Sequence, residues 1–517
     1  MDSNHSENTK RIAKNTLFLY TRVLFSMFVS LYSSRVILNA LGVENYGIYN
    51  VVGGFVGMFS IISSALSSSI GRFLTFELGT GNKKKLKEVF STSLLIQLVL
   101  SGIVLIVAET IGLWFVNYKM VIPPERMYAA NWVFQASIFS FILGLLSSPY
   151  NASMIAHEKM NVFAYLGILS TILNLAIVLF IAYAPFEFDK LIVYALLLMS
   201  VGLMMQMIYL VYSWRNFEES RIYPKFHKQC WREMSGFAGW NAIGCTAVIL
   251  KDQGVNILLN LFFGPVVNAA RGISVSVSNA VCQFSGNFMT AVSPQITKTY
   301  ASQDRQYMFS LVERGSRFGY YIMLMLALPI ILETPFILRI WLKQYPAYTV
   351  LFVRLVLVYS LLEVLSSTLI TLQVATGKIR NYQLAVGGLL LMNFPVSWLV
   401  LKLGASAYSV YIVAIVIGIG CLLLRIYFLG NMVGLSRRNY LKNVVGNVLL
   451  TSFYAFVIPL VLYSVMSPGV IKFVTVIAVS LICTTLSVLY VGCTSPERMF
   501  ILSKINGVRA KFIKMVA

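Results

Sequence analysis

The side chains able to do chemistry in this chain stand where charge is costly. Lys251 and Asp252 are neighbours inside the apolar run AVILKDQGVNILL (247–259). Glu363 lies in YSLLEVLSSTL (359–369), and Arg22 is followed at one-face helical spacing by Ser26, Ser30 and Ser33. Arg35 and Arg271 also fall within apolar runs. An ionised side chain at mid-bilayer costs about 2.5–3.5 kcal/mol on insertion scales, so it is expected either to pair or to meet water. Arg grips phosphate bidentately and Lys as a point charge. The five bases within spans, Arg22, Arg35, Lys251, Arg271 and Arg354, outnumber the three acids, Glu109, Asp252 and Glu363, and a cavity of that sign suits an anionic passenger. Asp252 and Glu363 are the carboxylates placed to take up H+ or Na+. Asn241, Gln253, Asn256 and Asn260 share a helix with Lys251 and would add uncharged polarity to a cavity wall. The structural alternative is a buried Lys251–Glu363 ion pair that fixes helix packing. Neighbours on a helix point about 100° apart, so Lys251 and Asp252 are not expected to pair with each other. Arg35, Arg271 and Arg354 lie near helix ends, where long side chains can snorkel to headgroups.

The elements that must position these groups follow from hydropathy. The chain has 517 residues, is 58% hydrophobic and 12% charged, with a mean hydropathy of +0.77. That composition calls for a bilayer as solvent. Runs of about 20 apolar residues place fourteen transmembrane helices near 14–40, 46–70, 89–115, 128–153, 162–184, 191–213, 236–263, 267–291, 312–333, 349–375, 382–401, 406–428, 443–465 and 470–492. The Ser/Gly-rich second half of 46–70 reads as close helix packing or as a polar cavity wall. The first eleven residues are polar, and the apolar run after them carries no small-residue cleavage site, so a retained first helix is expected. Net charge is +22. Segments on one side of the membrane hold 29 Lys and Arg and those on the other hold 7, which puts both termini in the cytoplasm. This loop bias accounts for the basic balance without nucleic acid.

The chain also resembles itself at an offset of about 220. Gly42 and Gly264 each end a helix, 222 residues apart, and FELGTGNKKKLKEVF (76–90) corresponds to TKTYASQDRQYMF (297–309). AHEKMNVFAYLGIL (156–169) lines up with ATGKIRNYQLAVGG (375–388) at an offset of 219. A parallel repeat of six helices implies two bundles about an axis normal to the membrane. The expected organisation is an all-α integral membrane protein: a six-helix bundle over 1–213, a cytoplasmic linker 214–235, a second bundle over 236–430, two further helices over 431–493 and a basic tail 494–517.

The loops restrict function. The longest outer loop expected is 334–348, about 15 residues, with no room for the soluble domain a membrane glycosyltransferase or ligase usually carries. Phosphate-cradling Gly loops, HExxH and GxSxG are absent. The six cysteines are scattered and read as small buried hydrophobes, and the three histidines do not cluster. No cofactor or metal is expected.

The six-plus-six-plus-two order, RVILNALGVENYGIYNVV (35–52) and GWNAIGCTAVILKDQGVNILLNLFFGPVVNAARGI (239–273) resemble the polysaccharide-transport branch of the multidrug/oligosaccharidyl-lipid/polysaccharide (MOP) exporter superfamily, and within it bacterial O-antigen flippases. The resemblance covers nearly the whole chain. It implies a V-shaped, pseudo-two-fold pair of bundles that alternates between inward- and outward-facing states in the bacterial inner membrane. It implies a substrate of undecaprenyl diphosphate bearing a glycan, with association with a glycan polymerase or glycosyltransferases. The basic residues here that could match the diphosphate contacts of such flippases are Arg22, Arg35, Lys251 and Arg271. A drug exporter of the same superfamily and a membrane enzyme of glycan assembly are the alternatives.

Overall fold

The computed structural model describes residues 2–57, 59–118, 120, 122–184, 188–221, 225–263, 265–342 and 345–503. The described residues are almost entirely helical and contain no strand. In chain order the helical stretches are α1 (Asp2–Gly57), α2 (Ser60–Thr80), α3 (Lys83–Tyr118), α4 (Pro124–Ala156), α5 (Met160–Tyr183), α6 (Lys190–Asn216), α7 (Lys228–Phe263), α8 (Pro265–Ala301), α9 (Arg305–Leu342), α10 (Thr349–Thr376), α11 (Arg380–Lys402), α12 (Ser409–Val433), α13 (Arg437–Val465) and α14 (Val470–Gly492). Among the described residues, ten of these are long and apolar enough to cross a membrane. Helix is the only open structure that satisfies its own backbone in hydrocarbon. The outward face of α13 shows the solvent it is built for: Leu449, Leu450, Phe453, Val457, Ile458 and Val461 are all exposed. A patch of that kind has no place in water.

Helices run further than hydropathy suggested. The expected outer loop 334–348 is largely helix, because α9 continues to Leu342. The basic inner segments are also mostly helix: α2 ends at Thr80 and α3 restarts at Lys83, and α8 ends at Ala301 with α9 restarting at Arg305. Hydropathy reports only the part of a helix inside hydrocarbon, while Lys, Glu and Gln continue it into water at little cost. Tight left-handed residues make the turns. Gly81 (φ 74) caps α2, and Asn82 accepts a hydrogen bond from the Lys85 N–H to start α3. The expected break at Gly42 is present within α1, at φ 77 and ψ 165. Gly264 lies outside the described residues.

The repeat is written into the backbone. Gln303 takes φ 61, 222 residues beyond Gly81, and Gly377 takes φ 74, 219 residues beyond Glu158 at φ 58. Non-Gly residues rarely enter this region, so Glu158 and Gln303 hold it because the turn requires it.

The chain forms two compact units. The first comprises Met1–Thr246, Thr290–Tyr307 and Val374–Gln383; the second comprises Ala247–Met289, Met308–Gln373 and Leu384–Ala517. In the first, Val52, Val133, Phe134, Ile138, Ile181 and Leu191 knit α1, α4, α5 and α6, and Ile70, Leu74, Phe90, Tyr150, Met234 and Ile379 form another buried cluster. In the second, Leu258, Leu259, Ala270, Phe352, Val410 and Tyr411 pack α7, α8, α10 and α12 together.

Candidate functional site

The second unit gathers most of the predicted ionisable groups. Lys251, on α7, is only 6% exposed. Its Nζ donates to Tyr359 Oη at 2.8 Å and lies 4.7 Å from the centre of that ring. Tyr359 Oη in turn donates to Glu363 Oε1, one helical turn on, at 2.9 Å. The phenol thus stands between Lys251 and Glu363, in place of the direct ion pair weighed from sequence. Asp252 corrects a second expectation: its Oδ1 lies 3.4 Å from Lys251 Nζ, with 56% of its side chain accessible. The lysine stem is long and flexible enough to curl back, which Cβ directions alone do not capture. Arg271, on α8, is buried rather than snorkelled. Its Nη2 donates to the Asp252 carbonyl at 2.9 Å, and its guanidinium sits 5.9 Å from the Tyr411 ring centre. Ser274 and Tyr411 close this side with a hydroxyl–hydroxyl hydrogen bond of 2.9 Å.

This arrangement is a ribbon of two bases and two acids. Lys251 and Arg271 are buried, whereas Asp252 and Glu363 are exposed. Formally it is neutral. Uptake of a proton or a metal cation at either exposed carboxylate would leave the ribbon positive. Asn256, also on α7, is half-buried.

Two further arginines of this unit have structural partners. Arg354 donates from Nε to the Ile331 carbonyl at 2.9 Å and from Nη2 to Leu332 at 3.3 Å. Pro335 has no N–H and its ring displaces the carbonyl four residues earlier, which is Ile331. The α9 kink at Glu333 (φ −96, ψ 20) therefore frees acceptors that Arg354 satisfies, so this residue is not snorkelling. Arg425, counted from sequence with the cytoplasmic loops, is buried in α12 and donates to Ser366 Oγ at 2.9 Å.

The first unit holds Arg22 and Asn241. Arg22 is half-buried on α1, with its guanidinium 4.7 Å from the Phe163 ring centre and within electrostatic reach of Tyr209. A Cβ at Gly167 would collide with Arg22 Cδ, so that glycine makes the groove in which the arginine lies. Ser26, one turn further along the stripe, bonds Thr171 at 2.8 Å. Asn241 is buried and committed to packing: its Nδ2 donates to the Ala65 carbonyl at 3.4 Å and its Oδ1 accepts from Gln383 at 3.3 Å. The side chains of Arg35, Gln253 and Asn260 lie outside the described residues.

Sequence reasoning missed three groups. Tyr359 was detectable, since it precedes Glu363 by four residues and shares its face. Tyr411 carried no local signal. Glu158, in the turn between α4 and α5, is a third. Its buried carboxylate accepts from Lys298 Nζ at 2.6 Å and from Gln295 Nε2 at 2.5 Å. Among the described residues no group of His, Cys, Asp and Glu has the arrangement of a metal site.

No family model matches the chain. It is 21% identical over 329 residues to the uncharacterized membrane protein EpsK of Bacillus subtilis (strain 168), covering 62% of this chain and 63% of that protein, so the match spans less than two thirds of the relative. Solved structures resemble it over more of its length. One is an outward-facing conformation of a multidrug resistance MATE family transporter of the MOP superfamily, with a TM-score of 0.66, 12% identity and coverage of 81% of this chain and 95% of that one. Another is a MOP superfamily transporter from Pyrococcus furiosus Vc1 described as having a binding pocket of reverse polarity that suggests a different function; it matches with a TM-score of 0.66, 13% identity and coverage of 81% and 95%. At such identities the likeness is one of fold. The chain has the fold of MATE transporters of the MOP superfamily, a membrane-transporter fold.

Proposed function

We propose that this protein is a flippase that moves an undecaprenyl-diphosphate-linked oligosaccharide from the cytoplasmic to the periplasmic leaflet by alternating access. The observation that carries the reading is the ribbon of α7, α8 and α10, in which buried Lys251 and Arg271 stand beside exposed Asp252 and Glu363. A diphosphate cannot enter hydrocarbon unaided, and buried bases supply what water would otherwise supply. Arg22 is the corresponding base of the first unit. Asp252 and Glu363 are the coupling carboxylates: occupancy by H+ or Na+ unmasks the positive charge of the bases. The site lies in the bacterial inner membrane with both termini cytoplasmic, alongside the polymerase or glycosyltransferases of the same glycan. The test is a reconstitution. Proteoliposomes carrying the pure protein should expose a labelled undecaprenyl-diphosphate oligosaccharide to an external probe, without chain extension. Absence of transfer across the bilayer with every imposed ion gradient would refute the reading.

A second reading keeps the fold and changes the cargo. The exposed carboxylates Asp252 and Glu363 also suit a cation-coupled exporter of cationic drugs. Export of cationic dyes that is lost in Asp252→Asn and Glu363→Gln, with no transfer of the lipid-linked sugar, would favour it.

A further inference from the structure

In the first unit α1, α4, α5 and α6 line an open cavity of about 690 Å³, within the range of a small-molecule site. None of its lining residues is an Asp, Glu, Lys or Arg. Ser137 and Ser140 of α4, Ser170 and Asn174 of α5, and the phenols of Tyr49 and Tyr209 supply polarity. Phe141 and the Tyr49 ring supply flat apolar faces, and an edge contact with Tyr194, 5.1 Å between centroids, fixes Tyr49. The space exists partly because of Gly53, where an added Cβ would meet nothing within 4 Å. The Gly-rich stretch of α1 is therefore, at this position, cavity wall rather than helix seam.

The lining selects by chemistry. With no carboxylate it offers a cation no counter-charge, and with no base on its walls it offers an anion none. An acyl chain would leave three hydroxyls, an amide and two phenols facing hydrocarbon, each at a desolvation cost. A pyranose fits both halves of the wall: its hydroxyl edges meet the Ser and Asn groups, and its C–H face meets the aromatic rings. Tyr209 lines the cavity and is within electrostatic reach of Arg22, a base that could hold the phosphate. We propose that this cavity is a saccharide subsite, which receives the uncharged proximal sugar of the passenger while its diphosphate is held by Arg22 of the same unit. The assignment rests on the flippase reading above.

The experiment measures binding to the full chain in nanodiscs with two probes: bare undecaprenyl diphosphate, and undecaprenyl diphosphate bearing one N-acetylglucosamine. Wild type should bind the glycosylated lipid more tightly. Asn174→Ala and Ser170→Ala, which each remove a hydrogen bond, should weaken the glycosylated lipid by about five- to tenfold, and Gly53→Leu, which projects into the cavity, should weaken it as well. Binding of the bare lipid should stay at the wild-type level, which also shows that the variants fold. Equal weakening of both lipids, as an acyl chain in the cavity predicts, overturns the subsite; so does no change in any variant. Equal wild-type affinity for the two probes overturns the subsite and leaves the flippase reading standing. A wild type that binds neither probe removes the flippase reading and the subsite with it.

Discussion

Replacing Lys251 by Met keeps most of the side-chain length and deletes the charge. Three contacts disappear: the 2.8 Å hydrogen bond to Tyr359, the 4.7 Å approach of the ammonium to that ring centre and the 3.4 Å approach to Asp252. Neither partner is stranded. Tyr359 still donates to Glu363 at 2.9 Å, and Asp252 has 56% of its side chain accessible. Removing one partner of an ion pair is costly when the other is left buried and unpaired; here the remaining carboxylate is exposed, so thermal stability should remain within a few degrees of wild type. If Lys251 exists to meet a phosphate, the variant loses a charge-assisted hydrogen bond worth about 1.5–3 kcal/mol. That is about a tenfold to hundredfold loss of affinity for the diphosphate lipid. The assay pairs thermal unfolding in detergent with transfer of labelled undecaprenyl-diphosphate oligosaccharide in proteoliposomes. A Lys251→Met protein that is stable and transports within twofold of wild type would refute the cationic site and leave Lys251 a packing residue. Lys251→Arg should keep most binding, because the charge survives with altered donor geometry.

Other expectations follow from the same geometry. Asp252→Asn with Glu363→Gln should bind the anionic lipid more tightly but lose dependence on the ion gradient, measured by transport under imposed pH and Na+ gradients. Gly167→Ala should displace Arg22 and lower transport more than it lowers thermal stability, whereas Gly102→Ala, whose Cβ would meet nothing within 4 Å, serves as the control. Glu158→Ala should destabilise by about 3 kcal/mol by stranding Lys298, and Glu158→Gly by about 1 kcal/mol less, since the left-handed backbone costs glycine little; chemical unfolding in mixed micelles compares them. Burial pushes the thiols of Cys230 and Cys493 up to about 11, so at pH 8 about one in a thousand is thiolate. Both should react with maleimide far more slowly than an exposed cysteine introduced at Asn82, and labelling should accelerate as pH rises toward 11.

Several elements could be read in one dimension. The break at Gly42, the in-span charges at Arg22, Lys251, Asp252, Arg271 and Glu363, and the repeat near 220 all appear in residue order. Others could not. Hydropathy stopped α9 at 333 because it sees solvent preference and not backbone continuity, and the count of loop charges took in Arg425, which the fold makes helix interior. Arg354 looked like a snorkelling residue until the kink at Glu333 showed which carbonyls it serves.

From sequence alone come the solvent of this protein, the approximate positions of its helices, its internal repetition and the existence of costly charges within its spans. Each depends on local composition, because hydrocarbon imposes one uniform demand along the chain. The partners of those charges come only from tertiary structure. Lys251 meets Tyr359 across 108 residues, Arg271 turns to a backbone carbonyl, and Glu158 meets Lys298 across 140. Such choices depend on angstrom-scale distances between helices, and a neutral phenol or carbonyl that satisfies a charge leaves no excess charge in the sequence to announce it.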